Sequence, residues 1–424
     1  MENLNQEHKL KLTTITPLSI LADSGSDLSP YADYIVSEQG DCLYYVNHQQ
    51  VDAVLAENPK LIDEYVAGIK DGMNNNRSNF SLSNFLTSKL ELDIEDFRTV
   101  PTQGNWRNKK RNVQAIVKDG GRLYLPGSSL KGAMRTAILY CWLAYEESGE
   151  KEMQKIVETL RTIAPKCERL NVLKKKKNFE LSDSERRERK DLDNERKRYI
   201  DSIFNEEVLF GKLSPKRDEP QIAPLSQHLV CRDSEVFSSK YLIATQAERI
   251  RRLPERKDIP KGRSGGGSIP MPREAVAANA PILTSFYVRK GMISEDCPIW
   301  YLNRDTKGIL DALNNFSLDF VNYEIEKLEE GESHADLNYL IDFYYDLKKR
   351  IEKGETFLRL GSGKTFYDNS LVLALLMHPD DKIKAESGRH LRTVFPNDIK
   401  SLHPVTRTIA ADGMPFGWVR TEVL

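Results

Sequence analysis

Polar and apolar positions along this chain switch between a period of two and a period near 3.6, and the switches mark its elements. Residues 9–16, "KLKLTTIT", alternate and are rich in Thr, which predicts a first strand. Pro17 and the loop "LADSGSDLSP" end it. "YADYIV" and "DCLYYV" predict a hairpin turning around Ser37–Gly40. Asn47, with Gln50 three residues on, gives a capping-box signal for a helix through about Ile69. "NVQAIVKDGGRLYLPG" predicts strand, Asp-Gly-Gly turn and strand, with a helix starting at Ser128 or Ser129.

A second alternating set begins at "SQHLVCRDSEVF", and "PILTSFYVRK" predicts a strong strand. Leu337, Leu340, Ile341, Tyr344, Leu347 and Ile351 recur at helical spacing, so 335–353 is predicted as an amphipathic helix. "ETFLRLG" predicts a strand running directly into a glycine turn, and "KGRSGGGSIPMPRE" a mobile loop. The order β, β, β, α, β, β, α is that of an α+β fold, not a doubly wound α/β one. Between the two alternating sets, "KKKKNFELSDSERRERKDLDNERKRYI" is almost all charge. Its acids and bases are interleaved, which predicts a solvated helical insertion. The chain therefore divides into an N-terminal module, 1–144, a charged helical insertion, 145–220, and a C-terminal module, 221–424.

Composition narrows the function. Of 424 residues, 39% are hydrophobic and 29% charged, and the net charge is −1, so any site for nucleic acid is local rather than global. Cys42, Cys141, Cys167, Cys231 and Cys297 form no Cys-x-x-Cys pair, which argues against a zinc ribbon or redox dithiol and for a reducing cytoplasm. No apolar run reaches membrane-spanning length and the start, "MENLNQEHKLKL", has no signal-peptide core, so a cytoplasmic protein with no membrane partner is expected.

The most informative stretch is "LYLPGSSLKGAMRTAIL", Leu123 to Leu139. A strand enters a Pro-Gly turn, and Ser128 or Ser129 caps the helix that follows. Leu130, Met134, Ala137, Ile138 and Cys141 fall on one face, while Lys131 and Arg135 fall four apart on another. A helix N-terminus attracts anions, the two cations add to it, and Gly132 leaves room for a backbone to approach. That pattern suits a phosphodiester chain, and it equally describes an ordinary capped helix with two solvated cations.

"LRLGSGKTFYDNS" raises a separate question, because Gly363-Lys364-Thr365 looks like the end of an ATP-binding loop. A P-loop needs its first glycine at 358, where this chain has Leu358; Gly361 is too close to complete the cradle. A short Gly-Ser-Gly-Lys turn can still hold one phosphate. Two weaker basic stretches follow. "RTVPTQGNWRNKKR" sets Arg98, Arg107, Lys109, Lys110 and Arg111 around Trp106, as an RNA contact that stacks a base or as a loop docking a neighbouring subunit. "AERIRRLPERKDIPKGR" carries Arg249, Arg251, Arg252 and Arg263, with Arg273 beyond the glycine run, as a flexible cationic loop near RNA or a plain surface loop. The seven histidines form no ligand pair, and no convergent carboxylates for a two-metal nuclease are visible. No cofactor is expected.

"YLPGSSLKGAMRTA" closely resembles the signature of the RAMP superfamily, the repeat-associated RNA-binding proteins of CRISPR systems. The opening "LTTITPLSILADSGSDLSPYADYIV" is similar to the first strand and long loop of the terminal RAMP subunit of type III-A (Csm) effector complexes. "LRLGSGKTFYD" resembles that family's glycine-rich loop in a shorter version, and "MPFGWVR" its closing strand. The resemblance implies two ferredoxin-like (RRM-like) RAMP modules that cap a filament and hold the 3′ region of the CRISPR RNA (crRNA). It places Gly127, Ser128, Ser129, Lys131, Gly132 and Arg135 along the RNA backbone, with Gly361, Gly363 and Lys364 contacting it from the second module. Implied partners are crRNA, target RNA near the guide 3′ region, the filament-forming RAMP subunit, the small subunit and host nucleases. Filament subunits of this family cut target RNA with an aspartate just before a Ser-Pro-like pair. Here Leu28 precedes Ser29-Pro30, and Asp27 and Asp33 are out of register, which implies a non-catalytic subunit. The rival is a RAMP endoribonuclease that processes CRISPR RNA; it calls for a histidine near the glycine loop, and none lies near Gly361 or Gly127.

Overall fold

The computed structural model describes residues 6–75, 78–107, 111–203, 228–251, 270–289, 306–329, 337–394 and 406–424. The charge-rich stretch beyond 203, Lys109 and Arg263 lie outside the described residues.

The fold is α+β, as the alternation predicts. Its central sheet is antiparallel. It takes β1 (His8–Thr14), β7 (Leu229–Cys231), β10 (Pro281–Val288), β11 (Thr356–Arg359) and β13 (Trp418–Val423), in the order β11-β13-β1-β10-β7. β1 pairs with β10 on one side (Leu12 opposite Ile282) and with β13 on the other (Leu12 opposite Thr421). The N-terminal strand is thus held between strands from the C-terminal half. Leu10 and Leu12 are fully buried on it, the outcome of the "KLKL" alternation.

Helix α4 (Gly127–Tyr145) lies in the main core, its buried residues running from Leu130 through Leu143. Against it pack α5 (Glu147–Lys175) and α7 (Thr306–Glu329). The predicted amphipathic helix is α8 (Asn338–Glu352), with Leu340, Tyr344, Leu347 and Ile351 buried. Phe320 and Tyr344 close around Trp418 of β13, with ring centroids 6.0 and 6.4 Å from it. That packing accounts for the aromatic in "MPFGWVR".

The charged stretch is two helices with different roles. α5 buries Met153, Ile156, Leu160, Ile163, Cys167 and Leu170 against α4 and against α10 (Asp381–Val394). α6 (Asp183–Ile203) folds back on α5 and is fastened by ion pairs: Lys166–Glu195, Arg169–Glu188, Lys174–Asp193 and Lys176–Glu185. Interleaved charge here encodes a helical hairpin's seam. The exception singled out by sequence, the run Lys174–Lys177, is partly consumed by it.

A smaller sheet, β2 (Tyr34–Val36), β3 (Cys42–Tyr45) and β4 (Arg98–Pro101), carries the predicted hairpin. Its own core includes Val51, Leu55, Phe85 and Leu86. Asn47 caps as expected, its side chain accepting from the Gln50 N–H. The helix does not run unbroken to Ile69, however. α1 (His48–Glu57) stops at Asn58, and Pro59 opens α2 (Pro59–Asn74) as its first residue. A third sheet joins β8 (Leu242–Arg251), β9 (Met271–Val276) and β12 (Thr406–Ile409). The Asp-Gly-Gly hairpin forms only two-residue strands, β5 (Lys118–Asp119) and β6 (Arg122–Leu123). The residues before it bridge singly to Leu21, Leu28 and Arg273 instead.

Candidate nucleic-acid interface

Helix α4 starts two or three residues earlier than a cap at Ser128 or Ser129 would place it. Pro126 is the N-cap and neither serine caps with its side chain. The first N–H, of Gly127, donates instead to Asp233 Oδ1 at 2.7 Å, from a segment 106 residues away. The negative group favoured at this helix end is therefore already supplied by the protein. Gly127 is buried, and a Cβ there would sit 2.4 Å from the Cys231 carbonyl oxygen. Gly127, expected along the RNA backbone, packs against the chain after β7.

One turn on, the surface is of another kind. Ser128 and Gly132 are exposed, and a Cβ on Gly132 meets nothing within 4 Å. Lys131 is half-buried and makes no ion pair among the described residues. Arg135 is also half-buried, with its Nε shielded from solvent. Ser128, Lys131, Gly132 and Arg135 thus form the accessible part of the signature helix.

The glycine turn after β11 is rigidly built. Gly361 and Gly363 both have positive φ, +72° and +90°. A Cβ on the first would lie 2.5 Å from the Ser19 carbonyl oxygen and on the second 2.9 Å from Phe416 Cβ. The Ser362 N–H donates to Ser19 O at 2.7 Å, tying the turn to the long first loop. Buried Arg359 fastens the other side. It donates to Asp368 Oδ2 (2.7 Å), to Phe416 O (2.9 Å) and to Gly363 O (3.0 Å). Asp368 also accepts from the Thr365 hydroxyl at 3.1 Å. No P-loop geometry results: the next helix, α9 (Val372–Leu376), begins well after Lys364, and Thr365 turns inward. Lys364 itself is half-buried, and burial lowers its pKa.

Several sequence candidates move. Arg273 is not on a loop: it lies in β9, 4% exposed, with Nη1 donating to Ser362 Oγ at 2.9 Å and its guanidinium over the Phe416 ring. Burial, aided by nearby Arg249, lowers its pKa to about 10. The structure therefore joins Arg273 to the glycine turn, which sequence spacing could not show across 89 residues. Arg249 and Arg251 are likewise strand residues, in β8. Trp106 is 1% exposed and its Nε1–H donates to Gln103 O, so it cannot stack a base. Arg107 and Arg111 are exposed, but each is partly used in holding the fold, on Gln39 O and Pro270 O.

Among the first-loop acids, Asp33 closes a turn, accepting from the Ser29 N–H at 2.6 Å and lying 3.2 Å from His48 Nε2. Among the described residues no three His, Cys, Asp or Glu side chains cluster to hold a metal, and no helix is long and apolar enough to cross a membrane. Sequence reasoning missed Asp233, Arg359 and Asp368. None has a local signal, because each acts on a segment brought near only by the fold.

Comparison with known proteins supplies the wider setting. A curated protein of Methanocaldococcus jannaschii, described as CRISPR system Cms protein Csm5, is 31% identical over 97 residues. That is 22% of this chain and 22% of the relative, so the match spans about a fifth of the relative's length. Among solved structures, a chain in the cryo-EM structure of a Csm–crRNA–target RNA ternary complex of a type III-A CRISPR-Cas system superposes with a TM-score of 0.64 at 20% identity, covering 98% of this chain and 100% of that one. The crystal structure of T. onnurineus Csm5 matches with a TM-score of 0.55 at 18% identity, over 97% and 99% of the two chains. Identities this low establish a shared fold. The RAMP superfamily profile matches residues 11–366, most of the chain including the signature helix and the glycine turn, and this protein belongs to the RAMP superfamily.

Proposed function

We propose that this protein is a non-catalytic crRNA-binding subunit of a type III-A (Csm) interference complex. It caps the filament and holds the crRNA 3′ region in crRNA maturation and antiviral defence. Its partners are crRNA, target RNA near the guide 3′ end, the filament-forming RAMP subunit, the small subunit and host nucleases, in the cytoplasm. The α+β chain is read as two ferredoxin-like modules, 1–144 and 221–424, around the charged stretch 145–220.

One observation carries the RNA reading. Gly132 occupies an exposed position in the second turn of a 19-residue helix, with none of the described residues within 4 Å of where its Cβ would be. Glycine there costs about 1 kcal/mol relative to alanine. Among the described residues a packing reason exists for Gly127 and none for Gly132, which supports a bound group using the space. Lys131 beside it makes no ion pair among the described residues, whereas Lys166, Arg169, Lys174 and Lys176 of the charged hairpin are each paired. A phosphodiester backbone uses both. The non-catalytic reading is supported by Asp33, whose carboxylate is spent on Ser29 and His48.

The test is reconstitution of the complex with and without this subunit. Without it, the guide should carry an altered or heterogeneous 3′ end on a denaturing gel. With the Asp27→Asn/Asp33→Asn variant, guide and target cleavage should match wild type; loss of one cleavage product with assembly unchanged would make the protein a nuclease.

A further inference from the structure

The glycine turn holds hydrogen-bond donors for which the described residues supply no acceptor. The N–H groups of Gly363 and Lys364 donate to no acceptor among the described residues, and Lys364 Nζ makes no hydrogen bond or ion pair there. Arg273 Nε is shielded from solvent and unpartnered, while Nη1 of the same side chain holds Ser362 Oγ at 2.9 Å. Leaving such groups unmade inside a protein is costly, and an uncompensated buried charge more so.

Charge balance sharpens the point. Three cations border this turn: Arg273, Arg359 and Lys364. Arg359 is compensated by Asp368 at 2.7 Å, and that carboxylate's other oxygen accepts from Thr365. Arg273 and Lys364 have no carboxylate within ion-pair distance among the described residues. Two positive charges without an ion-paired carboxylate therefore stand beside a turn whose glycines both have positive φ, a backbone geometry found in anion-binding concavities. Gly361 through Lys364 are half-buried, so the turn is reachable from solvent. Burial of Arg273 and Lys364 strengthens any anion contact made there, because the local dielectric is low.

We propose that the Gly361–Lys364 turn, backed by Arg273, is a site for one terminal phosphate monoester on an RNA, not for a stretch of phosphodiester backbone. The inference rests on the RNA-binding reading above. A diester carries one negative charge, whereas a monoester carries about −1.5 to −2 near neutral pH and offers three acceptor oxygens. The larger charge matches two cations that lack an ion-paired carboxylate among the described residues, and three oxygens match the donors left without an acceptor there. An end can also project into a half-buried turn where a continuing chain has to enter and leave. The shared chemistry is the monoester, at either RNA end; the 3′ reading of the function selects the 3′-phosphate.

The test uses the full chain and one internally labelled RNA sequence in three forms: 3′-phosphate, 5′-phosphate, and hydroxyl at both ends. Binding is read by fluorescence anisotropy. The 3′-phosphate form should bind about tenfold or more tightly than the hydroxyl form. Lys364→Ala should abolish that gain, and Lys364→Arg should retain much of it. The gain should also shrink between pH 7.5 and 5.5, as the monoester takes up its second proton with a pKa of about 6; backbone contacts have no such step. A gain with the 5′-phosphate alone, lost in Lys364→Ala, would keep the monoester site and overturn the 3′ assignment. Equal affinity for all three RNAs would overturn the monoester site and leave RNA binding standing. If none of the three binds, both readings fall.

Discussion

Gly127 and Gly132 stand five residues apart on one helix and answer to different constraints. The first has the chain after β7 against it, 2.4 Å from where a Cβ would be; the second has open space. Gly127→Ala should therefore be strongly destabilising, by about 1–3 kcal/mol as overpacking against backbone, and thermal unfolding will show it. The same residue scale is where the sequence was least informative. Ser128 and Ser129 carry an ordinary cap signal, yet the helix is capped at Pro126 and its first N–H goes to Asp233. Trp106 sits among cations in the sequence and in the core of the fold. Neither outcome has a local cause, because the deciding partner in each case is distant along the chain. Lys131 has a specific test. Lys131→Ala should weaken RNA binding with little regard to sequence and lower the salt slope by roughly 0.7. An unchanged slope would remove this face of α4 from the RNA path.

At the scale of elements, periodicity read well where one face is buried. β1, the Ser37–Gly40 hairpin, α8 and the strand entering the glycine turn all formed where alternation or helical spacing placed them. It read less well where charge hides an apolar seam. α5 has a buried row from Met153 to Leu173 beneath its lysines and glutamates. The hairpin it makes with α6 has a pH signature. The Lys176 ammonium holds Glu185 down to about pKa 2, and the Arg161 guanidinium of α5 does the same for Glu386 of α10. Both carboxylates are lowered from 4.5, so the unfolded state binds more protons below that pH. Their stabilising contribution is complete above about pH 4.5 and is lost as pH falls toward 2. Hydrogen-exchange protection factors across 147–203, with the intrinsic pH dependence of exchange divided out, should fall in that window, and added salt should reduce the difference. Protection in the hairpin that does not change from pH 6 to 3 would show that the ion pairs do not secure it.

For the whole molecule, the fold class was legible and the interlocking of the two halves was not. Strand alternation shows that β1 is a strand, but it cannot show that β10 and β13 are its neighbours. The consequence is a prediction about fragments. Residues 1–144 alone leave both edges of β1 unpaired and strip the buried face of α4 from α5 and α7. That fragment should lack a cooperative thermal transition, and co-expression with 145–424 should restore one. A cooperative transition in the fragment by itself would show that the first module is an independent domain.

The central claim is that the exposed face of α4 makes room for an RNA backbone, and Gly132→Ala tests it most directly. The substitution adds one methyl group in open space, so the free protein should gain stability, about 0.5–1 kcal/mol, with a raised melting temperature. RNA affinity, measured on the same preparation, should fall about tenfold or more. A raised melting temperature with unchanged affinity would contradict the account, because the space beside Gly132 would then serve no bound chain.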